Sequence, residues 1–418
     1  MTDTHYETLP PPPPPLPSTE ASADEPAPGV RRPAPRHRWF AVPLVGVALL
    51  ALVGIVIVAL LPASLVADKE VGSDEDPAIL VEEATPFARV PASATAVDDR
   101  VTFGELEGLV DVDEDRNGDI YFVTITEPQQ SVLSWWVGRD EEEVTFLTRE
   151  EKYGRSTPTQ DRAISLTMMR TATQVAQYVA LRAVGYEEAR LVPGEVVIGE
   201  MVCLEAVDGE CVRTAPSDEQ LDVGDRLVEL DGRRLNTVDD VIAALVDKEA
   251  GDSVTVRLER QGVGPLTVTV ELTTSPDDSG RTIIGFVPFD TATIELPFEI
   301  DIDTGAIGGP SAGLAFTLTL IDELSAGDLT GGADIAVTGA ILDTGDVGAI
   351  GGLVQKTSAV HQNGIDYFLV PTAQGEEQIA AARAVAGDDL EIIPVATLDE
   401  ALAALEALGG DPLVVDAP

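Results

Sequence analysis

The sequence predicts a multidomain α/β protein that starts with a flexible tail and a single N-terminal transmembrane helix. Its 418 residues, 44% of them hydrophobic, suffice for about two or three domains with sizeable cores. An uncharged apolar stretch at residues 39–61 is long enough to span a bilayer. After it, segments that alternate polar and apolar residues are interspersed with segments of helical spacing, which is typical of mixed α/β domains.

The charge of the chain argues against some classes of partner. The formal net charge is −47, so nucleic acid and an anionic membrane surface would both be repelled. The acidic residues are spread along the chain without the spacing of an EF-hand, and we predict neither a metal site nor another cofactor. Lysine is scarce. The lysines of the chain are Lys69, Lys152, Lys248 and Lys356.

The N-terminal segments predict a membrane anchor. Residues 1–38 are rich in proline and lack hydrophobic periodicity, as expected for a disordered cytoplasmic tail. Arginines precede the predicted transmembrane helix and acidic residues follow it, so the charge bias places the N-terminus in the cytoplasm. An acidic linker at residues 62–92 leads to the later domains. The sequence thus predicts a single-pass cell-membrane protein whose large part after the anchor, including its C-terminal domain, is extracytoplasmic.

A small α/β subdomain is expected at residues 93–192. Alternating residues at 120–125 predict a strand, and apolar residues at helical spacing from Asp161 to Val184 predict a helix. No pattern in this subdomain points to chemistry.

The two cysteines of the chain, Cys203 and Cys211, lie close together in the sequence. In an extracytoplasmic domain such a pair favours a short-range disulfide, with two free thiols as the alternative. A single pair of cysteines without clustered histidines cannot form a structural zinc site. Cys203 and Cys211 are therefore a candidate disulfide.

Residues 193–275 show short predicted strands around one helix. Gly-Asp and Asp-Gly pairs mark tight turns, Thr237 begins the helix, and two strands follow at 253–260 and 266–273. The segments LDVGDRLVELDGRRLNTVDDVIAAL and GDSVTVRLERQG resemble bacterial PDZ domains. The resemblance implies a PDZ-like β domain with one helix that captures C-terminal peptides by adding a strand to its sheet. A structural insertion without a ligand is the alternative.

The C-terminal region, residues 276–418, predicts one α/β domain with a candidate nucleophile. Two glycines lead into Pro310, whose fixed φ suits the first helical position, and an apolar run follows. Ser311 is therefore expected in the first turn of a buried helix. The turn of Gly309, Pro310 and Ala312 would form the backbone of an oxyanion site, because the first turn has free N–H groups and the positive end of the helix dipole.

Lys356 is the candidate base. It follows the Ile-Gly-Gly segment at residues 350–352 on a predicted helix. A lysine acts as a base only when it is neutral, and its reference pKa of about 10.4 leaves little neutral amine at pH 7. Burial on an apolar helix face can lower that pKa by several units. A Ser-Lys pair is a known variant of the nucleophile and base arrangement.

The same region resembles the proteolytic domain of Lon peptidases over residues 277–410. The segments that carry the resemblance are GGPSAGLAFTLTL and AVTGAILDTGDVGAIGGLVQKTSAVHQNGIDYFLVP. The resemblance implies that Ser311 is the nucleophile, that Lys356 is the general base, and that Thr338 lies beside the lysine.

Two features depart from the pattern of that family. Gly308 and Ala340 stand where the family often has acids, so no carboxylate at these places favours a charged lysine. The chain also contains no Gly-Lys-Ser/Thr phosphate loop, so unlike Lon itself it shows no ATPase segment.

Together these expectations lead to one hypothesis and one alternative. We expect a membrane-anchored, ATP-independent serine endopeptidase with a Ser311–Lys356 dyad and no cofactor. Its PDZ-like domain would bind or gate protein and peptide substrates, including through their C-terminal tails. The alternative is a peptide-binding scaffold whose protease domain is a relic or processes only itself. The sequence leaves open whether the subunits form a homo-oligomer.

Overall fold

The computed structural model describes residues 41–72, 80–104, 118–154, 157–207, 210–276 and 280–415. The chain divides into two compact units, Met1–Val56 and Ile57–Pro418. The predicted cytoplasmic tail at residues 1–38 lies outside the described residues.

The prediction of a transmembrane helix, and with it of an extracytoplasmic location, is wrong. Helix α1 covers Ala41–Ala59, and its side chains are described from Val45 onward. In the described part of the chain, no helix has both the length and the apolar character needed to cross a membrane.

The other elements belong to the second unit. Its helices are α2 Val132–Gly138, α3 Arg149–Tyr153, α4 Pro158–Ala183, α5 Val238–Leu245, α6 Gly313–Leu324, α7 Leu353–Gln362, α8 Gly375–Ala386 and α9 Leu398–Leu408. Its strands are β1 Asp68–Gly72, β2 Leu80–Ala84, β3 Phe87–Ala96, β4 Val101–Phe103, β5 Ile120–Thr126, β6 Thr145–Leu147, β7 Arg190–Val192, β8 Val196–Met201, β9 Cys203–Val207, β10 Glu210–Thr214, β11 Arg226–Leu230, β12 Arg233–Arg234, β13 Ser253–Arg260, β14 Gly264–Glu271, β15 Thr273–Thr274, β16 Thr282–Ile283, β17 Phe286–Asp290, β18 Thr293–Glu295, β19 Ile300–Ile302, β20 Ile335–Val337, β21 Ala340–Ile341, β22 Val347–Gly348, β23 Tyr367–Pro371 and β24 Glu391–Val395.

One sheet, with the strand order β24-β23-β20-β5-β3-β6, underlies the candidate catalytic region. β24, β23, β20 and β5 are parallel, and β3 is antiparallel to both β5 and β6. Strands from before and after the PDZ-like segment thus share one sheet. The sequence predicts a subdomain at 93–192 that is separate from the domain at 276–418. In the structure, β5 from the first range pairs with β20 from the second, so the two ranges are not separate.

Helices cover both faces of this sheet. Successive residues of a strand point to opposite faces. On one face, Ile335 and Val337 are buried in a core that includes residues of α4 and α6. On the other face, Ala336 belongs to a core with residues of α7 and α8. The helix predicted from Asp161 to Val184 is confirmed as α4, which starts with Pro158 after the cap residue Thr157.

The PDZ-like segment is inserted in the sequence between β5 and β20. It forms an antiparallel sheet in the order β14-β13-β11-β8-β17, with β12 paired to β11. Its buried side chains share one hydrophobic core. The predicted helix at Thr237 and the two strands after it are confirmed as α5, β13 and β14. The sheet continues past the predicted boundary at residue 275, since β17 pairs with β8.

A hairpin of β9 and β10 carries the cysteines. Cys203 is disulfide-bonded. The side chain of Cys211, the other cysteine of the sequence, lies outside the described residues, so their pairing remains a prediction.

The alternation at residues 293–303 predicts one half-exposed strand, but the structure shows two short strands instead. β18 pairs with β7, and β19 pairs with β4. Pro297 lies between them, and a proline cannot donate to a strand ladder. Because the strand is interrupted at Pro297, the chain can pass from the sheet of the PDZ-like segment to the loop before α6.

Candidate active site

The candidate nucleophile lies on a loop and not in the first turn of a helix as predicted. α6 begins at Gly313, with Ala312 as its N-cap residue. Gly309 has a φ of 83°, a left-handed conformation that suits glycine and bends the chain before Pro310. The Gly313 N–H donates to the Pro310 carbonyl at 3.0 Å. This turn places Ser311 just before the helix.

Lys356 reaches the serine from α7. That helix starts after Gly352, whose conformation is left-handed and whose missing side chain would lie 2.8 Å from Cδ1 of Ile125. Glycine therefore lets α7 begin close to β5. Lys356 is 2% exposed, and its Nζ donates to Ser311 Oγ at 2.7 Å and to Thr338 Oγ1 at 2.9 Å.

Thr338 connects the lysine to the backbone of the serine. It follows β20 and is fully buried. Its hydroxyl accepts from Lys356 Nζ and donates to the Ser311 carbonyl at 3.1 Å. The Gly339 N–H donates to the same carbonyl at 2.9 Å. Two hydrogen bonds thus fix the carbonyl of Ser311. The three predicted residues Ser311, Thr338 and Lys356 lie together.

Burial lowers the pKa of Lys356 from its usual 10.5 to about 7. The physical cause is desolvation, since an ammonium group at this place loses its hydration shell. The two hydroxyls that accept from Nζ are neutral and replace little of that hydration. A large fraction of the amine is therefore neutral near pH 7, and a neutral amine can accept the proton of a hydroxyl.

The structure explains why Gly308 occupies the place of a family acid. A Cβ atom at residue 308 would lie 2.7 Å from Cβ of Ser165, on α4. Side chains do not approach each other so closely, so α4 fills the space that an acid would need. The other place, Ala340, lies on β21 opposite Gly348.

The residues of the predicted oxyanion backbone form the turn before α6. The Gly309 N–H is engaged, because it donates to the Ser165 carbonyl at 2.9 Å. Pro310 has no N–H. Ala312 is the one of the three whose N–H remains available, at the N-cap of α6.

No sequence pattern indicated that the first turns of α4 support the active-site loop. The Ser165 carbonyl accepts from Gly309, and the Arg162 guanidinium donates to the Ala306 carbonyl. These contacts use backbone atoms of the loop, which leave no motif in the sequence. The helical spacing of Ile164 and Met168 shows that α4 is packed, but it does not show against which loop.

Other candidate chemistry is not found near the dyad. His361 lies on α7 but is exposed, in line with its spacing of just over one turn beyond Lys356. Among the residues that the structure describes, no group of three or more His, Cys, Asp or Glu side chains is placed to hold a metal ion.

Comparison with known proteins identifies two domains. The Lon protease (S16) C-terminal proteolytic domain matches residues 290–407, and the PDZ domain matches residues 201–272. The predicted resemblance to both is confirmed.

Individual relatives agree with the first match. A Lon protease of Chloroflexus aggregans is 31% identical over 138 residues, which are 30% of this chain and 16% of that protein. A Lon protease of Mesomycoplasma hyopneumoniae is 33% identical over 121 residues, 27% of this chain and 14% of that protein. The chain therefore spans about a seventh of the length of these curated relatives.

One solved structure is similar to part of the chain. The PDZ domain of an SdrC-like protein from Listeria monocytogenes is 24% identical, covers 22% of this chain and 86% of that chain, and has a TM-score of 0.17. By the two domain matches, residues 201–272 are a PDZ domain, and residues 290–407 are a Lon-type proteolytic domain, which is a serine peptidase domain.

Proposed function

We propose that this protein is a serine endopeptidase in which Ser311 is the nucleophile and Lys356 is the general base. One observation carries the proposal. Lys356 Nζ is buried, has a pKa of about 7, and donates to Ser311 Oγ at 2.7 Å. A neutral amine at that distance can take the hydroxyl proton as the oxygen attacks.

The reaction then proceeds in two steps. Ser311 Oγ attacks the carbonyl carbon of a peptide bond while Lys356 takes its proton, and the lysine returns that proton to the leaving amine. A water molecule, activated by Lys356 in the same way, hydrolyses the acyl-enzyme and releases Ser311. Thr338 is a positioning residue, because its hydroxyl holds Nζ and the Ser311 carbonyl at once.

The oxyanion of the tetrahedral intermediate is stabilised by the backbone at the start of α6. The Ala312 N–H and that of Ser311 lie at the positive end of the helix dipole. Gly309 contributes to the shape of the turn, since its own N–H is bound to Ser165.

The substrates are flexible polypeptides, and their hydrolysis by this chain needs no ATP. The sequence contains no Gly-Lys-Ser/Thr phosphate loop, so it carries no recognisable unfolding motor of its own. The PDZ domain binds or gates these substrates, since PDZ domains recognise extended segments. The competing function is a peptide-binding scaffold with an inactive protease domain.

The pH dependence of hydrolysis is expected to follow Lys356. Since only the neutral amine is a base, the rate at low substrate should rise about tenfold per pH unit and level off above about pH 7. The measurement is the initial rate of casein hydrolysis from pH 5 to 10. A rate that is flat from pH 5, or that still rises steeply beyond pH 9, contradicts a base with a pKa near 7.

A labelling experiment decides between the peptidase and the scaffold. The full chain is incubated with unfolded casein and, separately, with a fluorophosphonate probe, and the labelled residue is found by mass spectrometry. We expect casein cleavage and labelling at Ser311, with both lost in Ser311→Ala. The matched control is Ser358→Ala, which removes a buried serine of α7 bound to Gln362 and should keep both activities. Equal cleavage by the wild type and Ser311→Ala overturns the proposal.

A further inference from the structure

One side of α4 carries the PDZ domain. A helix turns about 100° per residue, so residues four positions apart lie on the same side. Gln160, Ile164 and Met168 have this spacing in the first three turns of α4. The side-chain amide of Gln160 donates to the carbonyl of Gln261, the residue after β13, at 3.4 Å. The other two residues of the series reach further points of the same domain.

Ile164 makes the closest approach between α4 and the PDZ domain. A Cβ atom at residue 224 would lie 2.4 Å from Cδ1 of Ile164 and 2.8 Å from its Cγ1. Gly224 also has a φ of 88°, a conformation that glycine adopts without strain. The glycine at this turn therefore lets the Ile164 side chain rest directly on the backbone of the PDZ domain.

The turn that receives Ile164 is fixed to the rest of the PDZ domain. Asp225 is 1% exposed and accepts from Arg260 Nε at 2.8 Å and from Arg260 Nη2 at 2.7 Å. Such a two-pronged pair fixes both partners in orientation. The Gly224 N–H donates to the Ile198 carbonyl at 2.7 Å. The turn is thus tied to β13 and β8, and it moves only together with the domain.

Met168 lies over the outer face of the PDZ sheet. Val196 and Ile198 of β8 are buried in the core of the domain, so Gly199 points to the opposite face. A Cβ atom at Gly199 would lie 3.0 Å from Cδ1 of Phe289, on β17, and 3.3 Å from Cε of Met168. α4 therefore contacts the domain at the Gly224 turn and also beside its edge strand β17.

The same turns of α4 hold the active-site loop on another side. The Ser165 carbonyl accepts from the Gly309 N–H at 2.9 Å, and the Arg162 guanidinium donates to the Ala306 carbonyl. Both residues lie within two positions of Ile164. Because a helix moves as a rigid element, a displacement of Ile164 also displaces the contacts that hold the loop.

The contact between α4 and the PDZ domain is made at few points. A cavity of about 260 Å³ lies beside Ile164, and its walls include Gln160 on the helix and Arg260 and Val263 on the domain. Atoms that face such a gap make no packing contacts across it. Ile164, which makes the closest approach, therefore provides a large share of the restraint between helix and domain.

We propose that Ile164 is a positioning residue for the peptidase reaction. Its contact with Gly224 fixes α4 to the PDZ domain, and α4 fixes the loop that carries Ser311. The docked PDZ domain is thus part of the support of the proteolytic site, and it governs the rate at Ser311 as well as the binding of substrates. The statement about rate rests on the proposed function of Ser311, whereas the statement about the loop does not.

Kinetics of the full chain test the statement about rate. Ile164→Ala removes the atoms that rest on Gly224. We expect kcat for casein to fall about tenfold while KM changes less than about twofold. The rate of fluorophosphonate labelling at Ser311 should fall about as much as kcat. This probe is too small to need the PDZ domain, so its slower reaction reports on the loop itself.

Two further variants serve as controls for the kinetics. Leu166→Ala removes a side chain that is 37% exposed on the same helix, and it should keep the wild-type rates. Ile164→Leu keeps the volume at the contact and should retain most of the rate. Wild-type labelling in Ile164→Ala overturns the inference, as does a raised KM with unchanged kcat. Cleavage that persists in Ser311→Ala refutes the proposed function instead, and the exchange experiment below then decides the inference.

Gly224→Ala tests the contact from the side of the PDZ domain. Its Cβ atom would meet Cδ1 of Ile164, so the domain must move away from α4 and labelling of Ser311 should slow. Gly224→Ala/Ile164→Ala removes the clash, because Cδ1 and Cγ1 are the atoms of Ile164 near that place. The double variant should therefore be labelled faster than Gly224→Ala. Two effects that simply multiply overturn the inference, since residues in contact are expected to be coupled.

Hydrogen exchange measures the loop without catalysis. The Gly309 N–H, which is bound to the Ser165 carbonyl, should exchange faster in Ile164→Ala than in the wild type or Leu166→Ala. The amides of β20 should keep their wild-type exchange. Unchanged exchange at Gly309 overturns the inference whatever the role of Ser311. A loss of protection that extends equally to β20 also overturns it, because it indicates general destabilisation and not release of the loop.

Discussion

Replacement of Lys356 by methionine is expected to lower casein hydrolysis by about 10⁴-fold and, at the same time, to stabilise the folded protein at neutral pH. Methionine has a similar length but no charge. It removes the proposed base, and it also removes the cost of burying an amine that is 2% exposed.

The sign of the stability effect follows from the pKa of Lys356. Folding lowers that pKa from 10.5 to about 7, so the unfolded chain binds more protons between these values and the wild type loses stability as pH falls through this range. The full shift corresponds to roughly 5 kcal/mol, at about 1.4 kcal/mol per unit. Two hydroxyls lose a partner in the variant, at a cost of about 1–3 kcal/mol. We expect a net gain of roughly 2–4 kcal/mol below pH 7.

Thermal or urea unfolding from pH 6 to 10 measures this gain. The difference between the variant and the wild type should be largest below pH 7 and should shrink as pH rises towards 10. Lys248→Met is the control, since Lys248 donates to Asp231 on the PDZ domain and its pKa is raised by that contact. That variant should keep full activity and should not be stabilised. A Lys356→Met protein that is less stable than the wild type at every pH contradicts a buried, largely neutral lysine.

Replacement of Gly308 by alanine is expected to lower the catalytic rate by about 10- to 100-fold while the protein stays folded. The added Cβ atom would lie 2.7 Å from Cβ of Ser165, so the loop must move away from α4. That movement breaks the contact from the Gly309 N–H to the Ser165 carbonyl. A shift of about 1 Å in the position of Ser311 is sufficient for such a loss of rate.

A second substitution tests the cause. Ser165→Gly removes the Cβ atom that the new methyl group at position 308 would meet, so Gly308→Ala/Ser165→Gly should recover most of the lost rate. Glycine inside α4 costs about 1 kcal/mol of stability, which unfolding measurements can separate from the change in rate. If Gly308→Ala keeps the wild-type rate, or if Ser165→Gly fails to restore it, α4 does not position the loop.

The local features of the catalytic region were predictable from the sequence. The glycines before Pro310 and the apolar run after Ser311 indicate a turn followed by a buried helix, and both are observed. The start of that helix was misplaced by three residues, because the turn closed by the Gly313 N–H comes before it. Local spacing predicts that a helix exists better than it predicts where the helix begins.

The membrane helix shows a limit of a different kind. The prediction rested on a run of apolar residues and on flanking charges, which describe composition and not a folded element. Among the residues that the structure describes, no helix is long and apolar enough to cross a membrane.

The sequence by itself determined the candidate dyad, that is, a serine and a scarce lysine in two motifs, and the order of a PDZ domain before a Lon-type proteolytic domain. The tertiary structure alone decided how these parts are joined. It showed that β5 completes the sheet of β20, that α4 holds the active-site loop, and that β17 occupies the edge of the PDZ sheet. The physical reason is that periodicity and turn residues act over a few neighbouring positions. Strand pairing and backbone contacts join residues far apart in the chain, and their partners leave no pattern in the sequence.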